Sequence, residues 1–178
     1  MSGGTCVMFA DTSAVRSGID TGGNAMPPFV AAYYDAYLSR DPDRIAAVLH
    51  DQVEWSVTGP SDQFDLFGPR RGKEEVIEAM VRIIPCFFRI SSFEFEHVLV
   101  QGDRVATYGQ VRAHQRDTGR AIRFRFTHFM RFIDGKLIVL RAITDTFDAA
   151  EQLVGHPIDV SREMQSAPLV PEDDFSLL

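Results

Sequence analysis

Cysteine is nearly absent from this chain. Two occur in 178 residues, Cys6 in a terminal stretch rich in Gly, Ser and Thr and Cys86 beside an apolar run. The reading is of reduced thiols in a cytoplasmic protein rather than a disulfide scaffold. Basic charge is also scarce. Eighteen Lys and Arg stand against 25 Asp and Glu, a formal net charge of −7, so no cationic excess exists to neutralise phosphates and general nucleic-acid binding is not expected. No window approaches the ~20 apolar residues of a membrane-spanning helix, and no membrane partner is read. The first 26 residues lack the basic and then apolar regions of a secretory signal. The five His and the carboxylates show no His-x-x-x-His or similar ligand spacing, so no metal is expected. A Gly-rich phosphate loop, a Ser nucleophile elbow and a dinucleotide fingerprint are missing too. That leaves chemistry without a cofactor, or simple binding.

Aromatic and aliphatic residues are plentiful: 14 Phe, 4 Tyr and 1 Trp within a hydrophobic content of 45%. A chain of this length buries one sizeable core. Residues 1–26 have no sustained period and read as a flexible arm, 27–157 as the domain, and the polar, Pro-interrupted stretch 158–178 as a tail. Helical spacing of Val30, Tyr33, Tyr34, Tyr37 and Leu38 predicts a first helix. Asp41 before Pro42 predicts the cap of a second, with Ile45, Val48 and Leu49 inward. Val53, Trp55 and Val57 alternate as a strand. A Gly/Pro-punctuated loop follows, holding Phe64, Leu66 and Phe67, which would suit either a lid or packing at the core edge. A third helix over 72–84 is expected to stop at Pro85. Strands from Ile90 to Gln101 and from Arg104 to His114 are joined by Gly102-Asp103, the first placing Phe93, Phe95, His97 and Leu99 on one face.

The centre of the pattern is Ala121 to Phe147. Two long alternating runs meet at Asp134-Gly135, a strong signal for a tight hairpin turn. With a two-residue loop, Ile133 faces Lys136, His128 faces Arg141 and Phe124 faces Asp145. Opposed residues share a face, so Phe124, Phe126, His128 and Met130 would lie together with Arg141 and Asp145. A His, an Arg and an Asp on an apolar face are either a satisfied structural trio or a site at the bottom of a cavity. A bulged loop would slip this register. The other face would carry Arg123, Arg125, Phe129 and Arg131 with Ile138, Leu140 and Ala142, and its apolar residues are candidates for a homodimer contact. Helices first and antiparallel strands last predict an α+β fold, with helices covering one face of a curved sheet.

Four segments, YYDAYLSRDPDRIAAVLHDQVEW, LFGPRRGKEEVIEAM, QGDRVA and FMRFIDGKLIVLRAITD, resemble in order and spacing the SnoaL-like polyketide cyclases of the nuclear-transport-factor-2-like and ketosteroid-isomerase-like superfamily. The resemblance covers about Phe29 to Gly155. It implies a cone-shaped α+β barrel around a deep pocket that opens between the helices and the loop before the third helix, and often a homodimer through the outer sheet face. It also implies an acidic general base late in the sheet, at the position of Asp145 beside Arg141, with His128 at a pocket position. The polar set that holds an epoxide-opening water, and the Tyr with protonated Asp of the isomerase oxyanion hole, have no counterpart here.

Asp145, held ionised by Arg141 in an apolar cavity, would be either a poised base or a locked ion pair. His128 could orient a ligand carbonyl or donate to a developing enolate, or be a hydrogen-bonded core residue. Trp55 is a candidate stacking wall. Tyr33, Tyr34 and Tyr37 could add hydroxyls, although at helical spacing they read first as core, and Phe67, Phe124, Phe126 and Met130 could add apolar walls. Two functions stay open. One is cofactor-independent isomerase-, cyclase- or hydrolase-like catalysis on a small apolar carbonyl compound. The other is a non-catalytic binding or assembly module.

Overall fold

The computed structural model describes residues 26–59, 61 and 65–159. The expectations for the arm, for Phe64 and for most of the tail fall outside those residues. Helix α1 (Pro28–Ser39) starts with Pro at its first turn and ends at Arg40 in the left-handed conformation, φ 54°. Helix α2 (Pro42–Val48) is capped by Asp41, whose carboxylate accepts from the backbone N–H of Asp43 and Arg44 at 2.9 and 3.3 Å. Its short length leaves Leu49 to begin strand β1 (Leu49–Val57). Strand β2 (Gly68–Arg71) is an element that the loop reading passed over.

Helix α3 (Gly72–Glu78) does not stop at Pro85. It runs into a π-helical turn (Ala79–Ile83) and then α4 (Ile84–Phe87), with Pro85 inside the last piece. The wider turn, in which the Ile84 N–H reaches back to the carbonyl of Ala79, lets the helix path absorb a residue that has no N–H of its own to give.

Strands β3 (Phe88–Gln101), β4 (Arg104–Gln115), β5 (Ala121–Ile133) and β6 (Lys136–Thr144) follow, then α5 (Thr146–Val154). The β5–β6 turn has the expected two residues, with Asp134 at φ 50° and Gly135 at φ 74°. The order in the sheet is β2-β1-β6-β5-β4-β3. The fold is α+β as expected, but the sheet is mixed rather than antiparallel, because β1 lies parallel to β6, and it curves without closing into a barrel.

Two bulges overturn parts of the predicted faces. On β6, Phe132 pairs with Leu137 but Arg131 pairs with Val139, so one extra residue lies between them. From there on every β6 side chain changes sides. Leu140 and Ala142 are buried, while Arg141, Ile143 and Asp145 are exposed. His128 faces Ala142, not Arg141. On β3, Phe95 pairs with Gly109 and His97 with Tyr108, leaving Glu96 extra. His97 therefore turns outward to stack on Tyr108, and Leu99 is 66% exposed. Strand β5 keeps its alternation throughout, with Ile122, Phe124, Phe126, His128, Met130 and Phe132 all inward.

The outer face is a field of ion pairs: Arg141 with Glu54 at 2.6 Å, Arg131 with Asp103 at 2.7 Å, Arg125 with Glu96 and Arg112 with Glu94. The row of arginines read from the sequence is thus largely neutralised by neighbouring strands.

Gly109 sits beside the β3 bulge, and a Cβ there would collide with the backbone carbonyl of Glu94. Because backbone cannot step aside cheaply, Gly109→Ala is expected to destabilise by about 1–3 kcal/mol. Urea denaturation measures it, and an unchanged midpoint would show that the bulge has room to relax.

Candidate functional site

The concave side of the sheet is not filled completely. Between it and the helices lies a cavity of about 80 Å³, lined by Tyr33 and Tyr37 of α1, Trp55 and Val57 of β1, Leu66 and Phe67 of the loop, and Ile84 of α4. Phe88, Ile90 and Phe93 of β3, Val111 of β4, and Phe124, Phe126 and His128 of β5 continue the wall. Ala142 and Thr144 of β6 with Thr146 and Ala149 of α5 complete it. None of these residues is an Asp, Glu, Lys or Arg.

Each wall residue arrives by a simple route. Helical spacing puts Tyr33 and Tyr37 one turn apart on α1, their rings parallel within 5° and 6.4 Å between centroids. Alternation turns Trp55 inward, where its indole N–H donates to the Tyr33 hydroxyl at 3.3 Å. Phe67 lies against Gly59, so close that any side chain at Gly59 would strike the ring.

His128 is the imidazole of a wall that also holds the polar residues Tyr33, Tyr37, Thr144 and Thr146, and it is 8% exposed. Its Nδ1 lies 2.8 Å from the Tyr34 hydroxyl, which is itself 2.9 Å from Oγ1 of Thr107. No hydrogen bond of Nε2 is seen among the described residues, and the ring is part of the cavity wall. Burial disfavours the imidazolium and lowers the pKa of His128 to about 3. The ring is therefore neutral at ordinary pH. Burial likewise raises the phenols of Tyr33, Tyr34 and Tyr37, which stay protonated.

The expected catalytic trio is not assembled. Arg141 spans the outer face to Glu54, and Asp145 is the exposed N-cap of α5, accepting from the Asp148 N–H at 3.1 Å. The cause is the β6 bulge, which no alternation count across the hairpin could have placed. Tyr33, Tyr37, Trp55, Phe67, Phe124 and Phe126 do line the cavity; Met130 is buried beyond it, between its register partners Val105 and Leu140. Sequence reasoning passed over Thr107. Its signal was there, a lone hydroxyl at an inward position of β4 between Val105 and Val111.

A sequence model of the SnoaL-like domain matches residues 30–140. Among solved structures, a protein from Rhodopseudomonas palustris called an isomerase is 29% identical, with 74% of this chain and 100% of that one covered and a TM-score of 0.68. A protein from Catenulispora acidiphila with a ketosteroid isomerase-like fold, in complex with trimethylamine, is 12% identical over 75% of this chain and 96% of its own, TM-score 0.63. One from Jannaschia sp. called a SnoaL-like polyketide cyclase is 16% identical over 76% and 100%, TM-score 0.60. The last two speak for the fold alone. No curated protein matches the chain. No helix among the described residues is long and apolar enough to cross a membrane.

Two expectations follow from this geometry. Since the folded pKa of His128, about 3, lies below the unfolded value near 6.5, the unfolded chain alone takes up a proton between those limits. Stability is then full above pH ~6.5 and falls as pH drops toward 3, by at most about 1.4 kcal/mol per pH unit from this group. Chemical denaturation across that range should show a steeper slope for the wild type than for His128→Gln, and equal slopes would mean that His128 is not held neutral. Asp145→Ala removes a helix cap and should cost about 1 kcal/mol in a thermal melt, without altering what the cavity binds.

Proposed function

The chain belongs to the SnoaL-like domain family, and we propose that its cavity binds a small, uncharged cyclic carbonyl compound, with Nε2 of His128 as the partner of the carbonyl oxygen. The observation that carries this reading is a neutral imidazole at the wall of a mainly apolar cavity whose other polar lining residues, Tyr33, Tyr37, Trp55, Thr144 and Thr146, are uncharged. Such a site rewards shape and one correctly placed oxygen, and it penalises charge, because no described lining residue carries a charge to compensate a carboxylate or an ammonium. Cofactor-independent enolisation, in the spirit of the isomerase name of the R. palustris relative, would fall to His128, since no carboxylate is among the described lining residues. Binding of the carbonyl compound is what the geometry supports most directly. A cytoplasmic setting fits the scarcity of cysteine.

Cyclopentanone and its apolar isostere methylenecyclopentane separate the hydrogen bond from the hydrophobic contribution. One hydrogen bond is worth about 1 kcal/mol net. His128→Leu should therefore weaken cyclopentanone about fivefold in calorimetry or NMR titration and leave methylenecyclopentane as tight or tighter. Equal loss of both, or no binding of either to the wild type, would remove the proposal.

The outer sheet face supports a second proposal, a homodimer. Leu99, Ala106 and Phe129 are register partners in one row across β3, β4 and β5, with Leu99 66% and Phe129 51% exposed, beside the Arg131–Asp103 and Arg141–Glu54 pairs. An apolar row of this kind is the usual mark of a contact surface. Sedimentation should give a dimer that Phe129→Glu dissociates; a monomeric wild type at high concentration would exclude it.

A further inference from the structure

The Tyr34 hydroxyl has two neighbours within hydrogen-bond reach, Thr107 Oγ1 on β4 and His128 Nδ1 on β5. All three side chains are buried, at 0%, 1% and 8% exposure. A phenol can donate once and accept, a threonine hydroxyl can do both, and a neutral imidazole nitrogen does whichever its tautomer allows. The chain Thr107–Tyr34–His128 therefore has two arrangements of the protons along its two hydrogen bonds. In one, Thr107 donates to Tyr34, Tyr34 donates to Nδ1, and Nε2 carries the ring proton. In the other, Nδ1–H donates to Tyr34, Tyr34 donates to Thr107, and Nε2 offers its lone pair. The first presents a donor to the cavity and the second an acceptor. A carboxylate or a backbone carbonyl in place of the phenol would accept only, and would hold the ring in a single tautomer.

We propose that Tyr34 and Thr107 are positioning residues that leave His128 free to adopt either tautomer, so that the cavity receives both the keto form and the enol or hydroxyl form of one enolisable cyclic compound. The inference rests on the reading of the cavity as a carbonyl-binding site and names its ligand class: a neutral ring whose single oxygen accepts in one state and donates in the other. The low basicity of the buried ring is in keeping with this, since an imidazolium would be a donor only. The neighbours packed on the ring, Tyr34, Phe93 and Phe126, carry no charge that would prefer one tautomer.

The test uses two ring-sized probes, cyclopentanone, which only accepts, and pyrrole, which only donates. In protein labelled with ¹⁵N-histidine, the His128 shifts should report a protonated Nε2 with cyclopentanone and a protonated Nδ1 with pyrrole. The same tautomer with both probes would overturn the proposal. Thr107→Val keeps the volume and removes the acceptor that takes the Tyr34 proton in the second arrangement. It should keep cyclopentanone affinity within about twofold and weaken pyrrole about 10-fold, while Thr107→Ser restores pyrrole. Equal loss of both probes in a cooperatively folding Thr107→Val protein would overturn it as well. Should the variant not fold, the tautomer readout on the wild type decides alone. Failure of cyclopentanone, pyrrole and methylenecyclopentane all to bind would instead overturn the cavity reading, and this inference with it.

Discussion

A phenol hydroxyl buried without partners costs several kilocalories per mole at the upper end of the transfer scales, and Tyr34, fully buried at the centre of this protein, meets that demand with Thr107 and His128. Much else depends on the arrangement. The residue comes from α1 and its partners from β4 and β5, so the polar contact fixes where the first helix sits over the sheet. Its ring meets those of Phe93 and Phe95 at centroid distances of 5.0 and 4.7 Å. Polar satisfaction and aromatic packing therefore select the same docking position. The same contact occupies one nitrogen of His128, whose ring is part of the cavity wall. Helix placement and site chemistry are thus set by one hydroxyl.

Curvature is the second requirement, and the bulges supply it. A flat sheet could not wrap around α1 and leave a void between; an extra residue at Glu96 and another early in β6 bend the strands and increase the twist. Each bulge also reverses the side on which later residues point. On β6 this sends Arg141 and Asp145 outward and brings Ala142 and Thr144 in. The described lining of the cavity is free of fixed charge for that reason, and the surplus charge pairs on the convex face instead. In solvent those pairs are worth little individually. Their structural effect is to keep the exposed face of a long sheet polar around a narrow apolar row.

Membership of the SnoaL-like family fixes the scaffold, while the lining of the cavity distinguishes this chain. One fold can host many chemistries. The acid that the family resemblance puts late in the sheet exists here as Asp145, but it caps α5 through the Asp148 N–H rather than facing the cavity. On the concave side stands an uncharged His128 supported by two hydroxyls, beside the uncharged tyrosines and threonines of the cavity wall. That points to recognition of a neutral oxygen rather than stabilisation of a full ionic charge.

Local patterns carried the reading of the chain a long way. Proline and aspartate placed the starts of α1 and α2, Asp134-Gly135 placed the central turn, and strict alternation along β5 put Phe124, Phe126 and His128 on the inner face; each is a matter of a few neighbouring residues and the backbone angles they permit. Five of the seven proposed wall residues, Tyr33, Tyr37, Trp55, Phe124 and Phe126, follow from the same periodicities and line the cavity. What periodicity could not deliver was any fact that joins two elements. Whether β6 takes an extra residue opposite Phe132, whether β1 runs parallel to it, and whether a helix can pass through Pro85 on a π-turn are settled by how layers pack, not by the residues beside each position. Tyr34, Thr107 and His128 lie 73 and 94 residues apart along the chain for the two contacts. The sequence by itself determined the elements and the apolar character of the inner face. The tertiary structure decided which polar atoms meet there, because a buried hydroxyl and an imidazole can satisfy one another only after helix and sheet have closed around them.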